Sequence, residues 1–460
     1  MSRLSRWLPP GPARWFLLPL YVLVGLALLY AVGRPIHVWL GNFYSGPRAP
    51  YLQMPAPDAM TLRWQTPQAE IGVVRYGRRP DRLAHTARET APGEEHRIRL
   101  TGLEPDTRYY YAVGNADGNH YAGAGYHFRT APVAADVPVR FAVLGDPGDP
   151  TEQQKAARNA LTAWLERHAR PHRPWLDLLL TTGDNAYRSG TNRQFQRGFF
   201  EPYAGLLRRV PVLPAYGNHD ARRRVFFRLF DFPAQGESGG LPSGTERWFA
   251  VDYGPLHVVM IDTSTQPVVP GNPMLDWLRR DLAASDKPWR VAVMHHPPYT
   301  RGSHDSDRRR DSHGRMFEVR EHLLPILEAG GVDLVIAGHS HMYERSHLLD
   351  CHYGTRRMLD RRASLREPVG DGVYLKPAGP GRPHGGTIYA VVGASARANQ
   401  GPLDHPVMAV SQARVGVLVV DIQGDELVGR YLHADGGIGD RFTLRKRSTV
   451  PAPFANGCQR

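Results

Sequence analysis

Apolar residues fill positions 15 to 32 almost without a break, with Leu17, Leu18, Leu20, Val22, Leu23, Val24, Leu26, Leu28 and Leu29 among them. A helix of that length spans a bilayer, which takes about 17 to 25 residues. Past a linker over 33–48 the pattern changes. Met60, Leu62 and Trp64 alternate with Thr61, Arg63 and Gln65, and Ile98 and Leu100 with Arg97 and Arg99, the period of half-buried strands. Residues 49–130 therefore read as a small all-β domain. A Pro- and Ala-rich linker, 131–138, closes it. From 139 to 446 apolar runs alternate with helical spacings, the signature of an α/β or layered α-β-β-α domain. Strands are expected at 141–144, 176–180, 210–215, 290–294 and 333–337, and a hairpin at 248–253 and 257–261. Helices are expected from Thr151, whose spacing to Gln154 is that of a capping box, around Trp277, Leu278 and Leu282, and around Leu323 to Leu327, where Pro325 kinks or shortens the run. Strands at 387–392, 415–422 and 427–431 are expected to close a second sheet, and 447–460 is a tail.

The strand ends carry the chemistry. Phe141 to Leu144 leads to Asp146, Leu176 to Leu180 to Asp184 and Tyr187, and Val210 to Ala215 to Asn218 and His219. The later strands deliver His295, then His339 and His341. Open α/β sheets build their sites at this carboxyl end. Each residue alone has an ordinary reading: Asp146 as a turn former, Asn218 as a helix cap, His295 as a ring packed beside Pro297. Their recurrence at successive strand ends does not. Histidines two apart point to opposite faces of a strand, so His339 and His341 reach one place only from a loop, which Gly338 permits. Carboxylate and phenolate oxygens suit a hard trivalent cation, while imidazole and amide suit zinc, manganese or ferrous iron. A bridging carboxylate, Asp184, is the simplest way to divide the two. Paired metals about 3.5–4 Å apart are the recurrent device for splitting phosphate esters.

Composition bounds the rest. The formal charge of +13 is nearly all arginine, since Lys155, Lys287, Lys376 and Lys446 are the only lysines. The arginines are scattered and no nucleic-acid-binding motif accompanies them. Arg3, Arg6 and Arg14 precede the apolar run, which leaves residues 1–14 in the cytoplasm and sends the remainder across. The expected location is membrane-anchored and extracytoplasmic, periplasmic or cell-surface. A cleaved signal peptide with Ala31 and Gly33 at a small-x-small site, and hence secretion, is the alternative. Cys351 and Cys458 are open to two readings, a disulfide tying the tail to a loop or two free thiols.

Two resemblances attach to these residues. Leu103-x-Pro105-x-Thr107-x-Tyr109 resembles the corner stretch of fibronectin type III modules. Gly145-Asp146-x-Gly148, Gly183-Asp184-x-x-Tyr187, Gly217-Asn218-His219-Asp220, Met294-His295 and Gly338-His339-x-His341 resemble the motifs of the calcineurin-like metallophosphoesterases. Tyr187 and Tyr343-Glu344-Arg345 narrow this to the purple acid phosphatases. The resemblance implies a layered metallophosphoesterase sandwich behind a fibronectin-like domain. It implies an iron(III) ion on Asp146, Tyr187 and His341, a divalent zinc, iron or manganese on Asn218, His295 and His339, and Asp184 between them. It implies hydrolysis of phosphate monoesters by a metal-bound hydroxide, with His219 as an outer-sphere histidine. His304 stands where the family places a second one, but its neighbour is Asp305, so His296 and His313 remain alternatives. A phosphodiesterase or pyrophosphatase of nucleotides or phospholipid headgroups, favoured by the Arg301 to Arg315 loop, is the alternative activity. A non-catalytic metal-containing surface binding protein ranks below both.

Overall fold

A computed structural model describes residues 19–24, 26–27, 40–222, 224–448 and 458 of the chain. No helix among these residues is long and apolar enough to cross a membrane. The transmembrane helix expected over 15–32 lies partly outside them, and the described residues give it no support. Residues 1–14 and most of the tail also lie outside.

The N-terminal domain is a β-sandwich. One sheet holds Arg48–Gln53, Met60–Glu70 and Gly93–Leu100; the other holds His85–Arg88, Val73–Gly77, Arg108–Gly114 and Asn119–Tyr121, with His127–Arg129 also paired to Arg108–Gly114. Leu62, Trp64, Val74, Ile98, Tyr111 and Phe128 fill the space between. The Glu104 backbone N–H donates to Tyr109 Oη at 3.0 Å, the expected corner. The alternation in Met60–Glu70 misleads in one respect: Thr61, Arg63 and Gln65, expected to face water, are buried too. Their face lies against the second domain, where Arg63 donates to the Arg228 carbonyl at 2.8 Å and pairs with Asp231 at 3.5 Å. Docking covers what the alternation marks as exposed.

Two seven-stranded sheets form the second domain. The first runs Val212–Pro214, Leu178–Thr181, Val139–Leu144, Gly416–Gln423, Glu426–His433, Ile438–Arg447, Val373–Pro377; the second runs Phe249–Tyr253, Leu256–Ile261, Trp289–Met294, Leu334–Ala337, Ile388–Val392, Tyr343–Ser346, Met408–Gln412. Of the strands expected to close a second sheet, only Ile388–Val392 does so. Gly416–Gln423 and Glu426–His433 extend the first sheet, antiparallel beside Val139–Leu144.

Side-chain alternation sorts the core into layers. Val291, Val293, Leu334 and Ile336 face the first sheet and share one core with its Phe141, Val143, Leu178 and Leu180. Their neighbours Ala292, Met294, Val335 and Ala337 point the other way, against Leu278 and Leu282 of helix Pro273–Ala284 and Leu324 and Leu327 of helix Leu324–Ala329. Both faces of these strands are buried, which is why they read as unbroken apolar runs. Leu161 and Trp164 of helix Glu152–Arg167 cover the first sheet, completing the α-β-β-α order.

Two helix expectations are refined. Thr151 accepts from the Gln154 backbone at 3.0 Å, but the Gln154 side chain does not complete the box; it donates to the Pro147 and Gly198 carbonyls. Pro325 stands in the first turn of the six-residue helix Leu324–Ala329, where its missing N–H is tolerated, and a π-turn, Val319–Leu323, interrupts the α-helical run just before it. A disulfide joins Cys351 to Cys458, 107 residues apart, which settles the cysteine alternatives.

Candidate metal centre

Val139–Leu144, Leu178–Thr181 and Val212–Pro214 are parallel, and Trp289–Met294 and Leu334–Ala337 are parallel in the facing sheet, so their carboxyl ends converge. Asp146, Asp184 and His339 take positive φ of 48°, 53° and 67°, which turns the chain sharply as it leaves each strand. The glycines of the motifs allow the loops to touch. A Cβ on Gly217 would lie 2.3 Å from Asp184 Oδ1, and one on Gly338 2.2 Å from Asp146 Oδ1.

The donors gather in two groups. In one, Tyr187 Oη lies 3.3 Å from Asp146 Oδ2 and 3.0 Å from His341 Nε2, and that nitrogen is 3.3 Å from Asp146 Oδ2. In the other, Asn218 Oδ1 lies 2.9 Å from His295 Nε2 and 3.1 Å from His339 Nδ1. Asp184 stands between them. Its Oδ2 is 2.9 Å from Tyr187 Oη and its Oδ1 is 3.6 Å from His295 Nε2. Ligating atoms of Asp146, Asp184 and His295 all fall within 4.8 Å of one another. The structure thus brings Asp146, Asp184, Tyr187, Asn218, His295, His339 and His341 into one place.

Outer contacts fix the rings. His295 Nδ1 donates to the Thr182 carbonyl at 2.8 Å, which leaves Nε2 its lone pair for a metal. Arg397 Nε and Asn399 Nδ2 each lie 3.2 Å from His341 Nδ1, and Ser312 Oγ lies 2.6 Å from His339 Nε2. Asp220 pins the two loops: its carboxylate accepts from the backbones of Asn185, Ala186 and Gly217 at 3.1 to 3.2 Å. Burial, then the Asp184 charge, pushes Asp220 up to about 7. Arg397, Asn399, Asp311 and Ser312 carry no signal at the strand ends and come from remote loops; Asp220 was visible in its motif.

Whether cations fit is decided by charge. Asp146 and Asp184 are buried, and among the described residues neither has an arginine or lysine ion-pair partner; the ion-pair contacts recorded for them are with imidazoles. Burial raises Asp146, but His341 and the charges of His295 and His341 outweigh it and hold it below its ordinary value. Tyr187 is pushed well above the phenol range by burial and by Asp184 and Asp146, so without a cation it keeps its proton. Buried carboxylates with unshared charge beside imidazole and amide donors make a site that cations complete.

The histidines expected to assist differ in setting. His219 Nδ1 donates to the Arg188 carbonyl at 2.8 Å, with Nε2 3.9 Å from Asp184 Oδ2. Burial lowers its pKa despite Asp184. His304 stacks on His339, and its Nδ1 lies 2.8 Å from Asp311 Oδ1. His296 is buried behind His339 against Thr263, and burial, then His295, holds it far below the imidazole range. His313 is exposed. Asp305 faces Arg308 and Arg356 at 3.4 and 3.3 Å.

Comparison with known proteins finds relatives of both domains. The calcineurin-like phosphoesterase model matches residues 139–343, and the purple acid phosphatase N-terminal domain model matches residues 47–130. Probable purple acid phosphatase 20 of Arabidopsis thaliana is 25% identical over 313 residues, covering 64% of this chain and 68% of its own length. Acid phosphatase type 7 of Homo sapiens is 26% identical over 371 residues, covering 73% and 77%. A purple acid phosphatase from yellow lupin (Lupinus luteus) seeds shares the fold, with a TM-score of 0.64 at 18% identity over 87% of this chain and 75% of that one. The chain is a metal-dependent phosphoric ester hydrolase whose second domain resembles the calcineurin-like phosphoesterases. Within that class it resembles the purple acid phosphatases through both of its domains.

Proposed function

We propose that the chain is a membrane-anchored, extracytoplasmic phosphatase of phosphate monoesters. The observation that carries the catalytic part is the pair of donor groups sharing Asp184. In this reading Asp146, Tyr187 and His341 would hold iron(III), and Asn218, His295 and His339 would hold a divalent zinc, iron or manganese, with Asp184 shared between the two groups. When bound, the two cations supply an acidified water and neutralise phosphate charge.

The chain's own groups do the rest. With Nδ1 donating to the Arg188 carbonyl, neutral His219 turns the Nε2 lone pair toward the site, where it accepts from a protonated phosphate oxygen. Asp311 holds His304 by Nδ1, so that Nε2 delivers a proton to the leaving oxygen. The Arg397 guanidinium, 4.5 Å from the Tyr187 ring centroid, adds fixed positive charge beside the oxygen-rich group.

The diester or pyrophosphate reading leaned on the arginines of the Arg301 to Arg315 loop. Most of them are occupied: Arg301 pairs with Asp404, Arg308 with Asp305, Arg309 with Glu321 and Arg315 with Glu318. A non-catalytic role is disfavoured because no donor of either group is missing. The anchor rests on the apolar run at 15–32 and the arginines before it, and the Cys351–Cys458 disulfide agrees with an oxidising compartment.

The test uses full-length protein in detergent, assayed on a chromogenic phosphate monoester and the matching diester from acidic to neutral pH. Monoester preference, abolished by His341→Ala, is expected; faster diester turnover, or undiminished activity in the variant, overturns the reading. Release from membranes by carbonate washing would overturn the anchor.

A further inference from the structure

A cavity of about 780 Å³ opens between the two domains. Trp175 and Leu176 enter it just before strand Leu178–Thr181, and Arg208 and Arg209 just before Val212–Pro214. Asp184 and Asn218 follow the other ends of those same strands. The cavity thus lies at the opposite edge of the sheet from the metal centre and shares no residue with it.

Its wall is built from positive charge. Arg108 and His127 reach it from paired strands of the N-terminal domain, and Arg208 and Arg209 from the catalytic domain. Arg108, Arg208 and Arg209 form no ion pair with a carboxylate among the described residues. Their recorded contacts are weak neutralisers: Arg209 donates to the Gly125 carbonyl at 3.0 Å and lies over Trp175 at 5.4 Å, and Arg208 lies over Tyr126 at 5.1 Å. Arg208 Nε is buried with no hydrogen-bond partner at all. A Cβ on Gly125 would meet guanidinium nitrogens of Arg209 and Arg208 at 3.3 and 3.6 Å, so both heads converge on one spot. Burial, then Arg108, Arg209 and Arg208, lowers His127 to about 4, and burial and Arg208 lower Arg209. Glu166 and Glu201 line the cavity too, but both are exposed at its rim. Unpaired guanidiniums held together at partial burial are repulsive unless an anion joins them.

We propose that this interdomain cleft is a second, non-catalytic binding site for a multiply charged phosphate, a diphosphate group whose oxygens the three guanidiniums clasp across the domain boundary. The fork of each guanidinium matches two phosphate oxygens. The volume is that of ordinary small-molecule sites and exceeds what a lone phosphate fills. Trp175, 37% exposed, offers a face to an organic group carried by the diphosphate.

The test is calorimetric titration of the full-length, metal-loaded enzyme in detergent with methylenediphosphonate, which has no P–O–P bond to hydrolyse. Two classes of binding are expected, one removed by His341→Ala and one not. The double variant Arg108→Gln, Arg208→Gln should keep the first class and the monoester kcat while weakening the second by about tenfold or more, as expected for losing charge-assisted hydrogen bonds. Gly125→Asp leaves every arginine in place, sets a carboxylate against two of them, and should weaken the same class if the double variant does not fold. An aryl ester of the diphosphonate binding more tightly than the parent, with the gain lost in Trp175→Ala, assigns an organic diphosphate; equal affinity assigns the inorganic ion. A single class abolished by His341→Ala, or a second class unchanged in both cleft variants, overturns the proposal.

Discussion

His304 lies flat on His339, with ring centroids 4.0 Å apart and planes 21° from parallel. The stack sets His304 at the mouth of the nitrogen-rich donor group, and Asp311 holds its far nitrogen at 2.8 Å. Asp311 is itself fixed: burial raises it, but the Asp305 backbone N–H and then His304 outweigh this and keep it ionised. Asp311→Asn should therefore lower kcat by about 10- to 100-fold, the range of an outer partner of a site residue. Bound metal, measured by mass spectrometry, should be unchanged. Loss of metal in that variant would show that Asp311 supports the site rather than His304.

Asp184 makes a different prediction, because it contacts both donor groups. Asp184→Asn leaves one neutral amide where two cations compete for charge. Both metals should fall together, and activity should drop by more than the roughly 10- to 100-fold of an outer substitution. Asn218→Ala, by contrast, should deplete the divalent position first. Equal retention of both metals in Asp184→Asn would remove it from the bridging position.

Much of this was legible from the strand ends because the physics there is local. A strand buried on both faces reads as an unbroken apolar run, and glycine must follow where loops approach within contact distance, as Gly217 does at Asp184 and Gly338 at Asp146. Remote partners leave no such trace. Arg397 and Asn399 reach His341 from a loop more than fifty positions away, and nothing in their own neighbourhood marks them. The buried outer face of Met60–Glu70 was hidden for a related reason: alternation reports on one sandwich and cannot see the second domain that docks on it. Gly416–Gln423 went to the unexpected sheet because apolar runs carry no label for their partner.

That docking surface sets a limit on truncation. Arg48 is buried, and its guanidinium donates to Gln196 Oε1 at 2.9 Å and Asn192 Oδ1 at 2.5 Å, across the domain boundary. Removing it leaves two buried acceptors unpaired, at about 1–3 kcal/mol each. A soluble fragment starting at Tyr51 should melt measurably below one starting at Gly41, and Arg48→Ala in the longer fragment should reproduce most of the difference. Equal melting temperatures would show that water replaces the guanidinium without loss.

Glu328 gives the pH dependence a sign. It is buried beside Asp350, and the hydroxyls of Tyr353 and Tyr389 donate to its two oxygens at 2.6 Å each. Burial, then the Asp350 charge, raises it from the ordinary 4.5. The folded protein keeps this proton above pH 4.5 while the unfolded chain releases it. The unfolded state then binds fewer protons, so stability falls as pH rises from that value toward the raised one, by up to about 1.4 kcal/mol per pH unit. Glu328→Gln has the same shape and no proton to release. Its melting temperature should decline less than that of the parent protein between about pH 5 and pH 8, with the two curves closest at the acidic end. Parallel curves across that interval would show that Glu328 is ionised in the fold and that the tyrosine hydroxyls, rather than a retained proton, satisfy it.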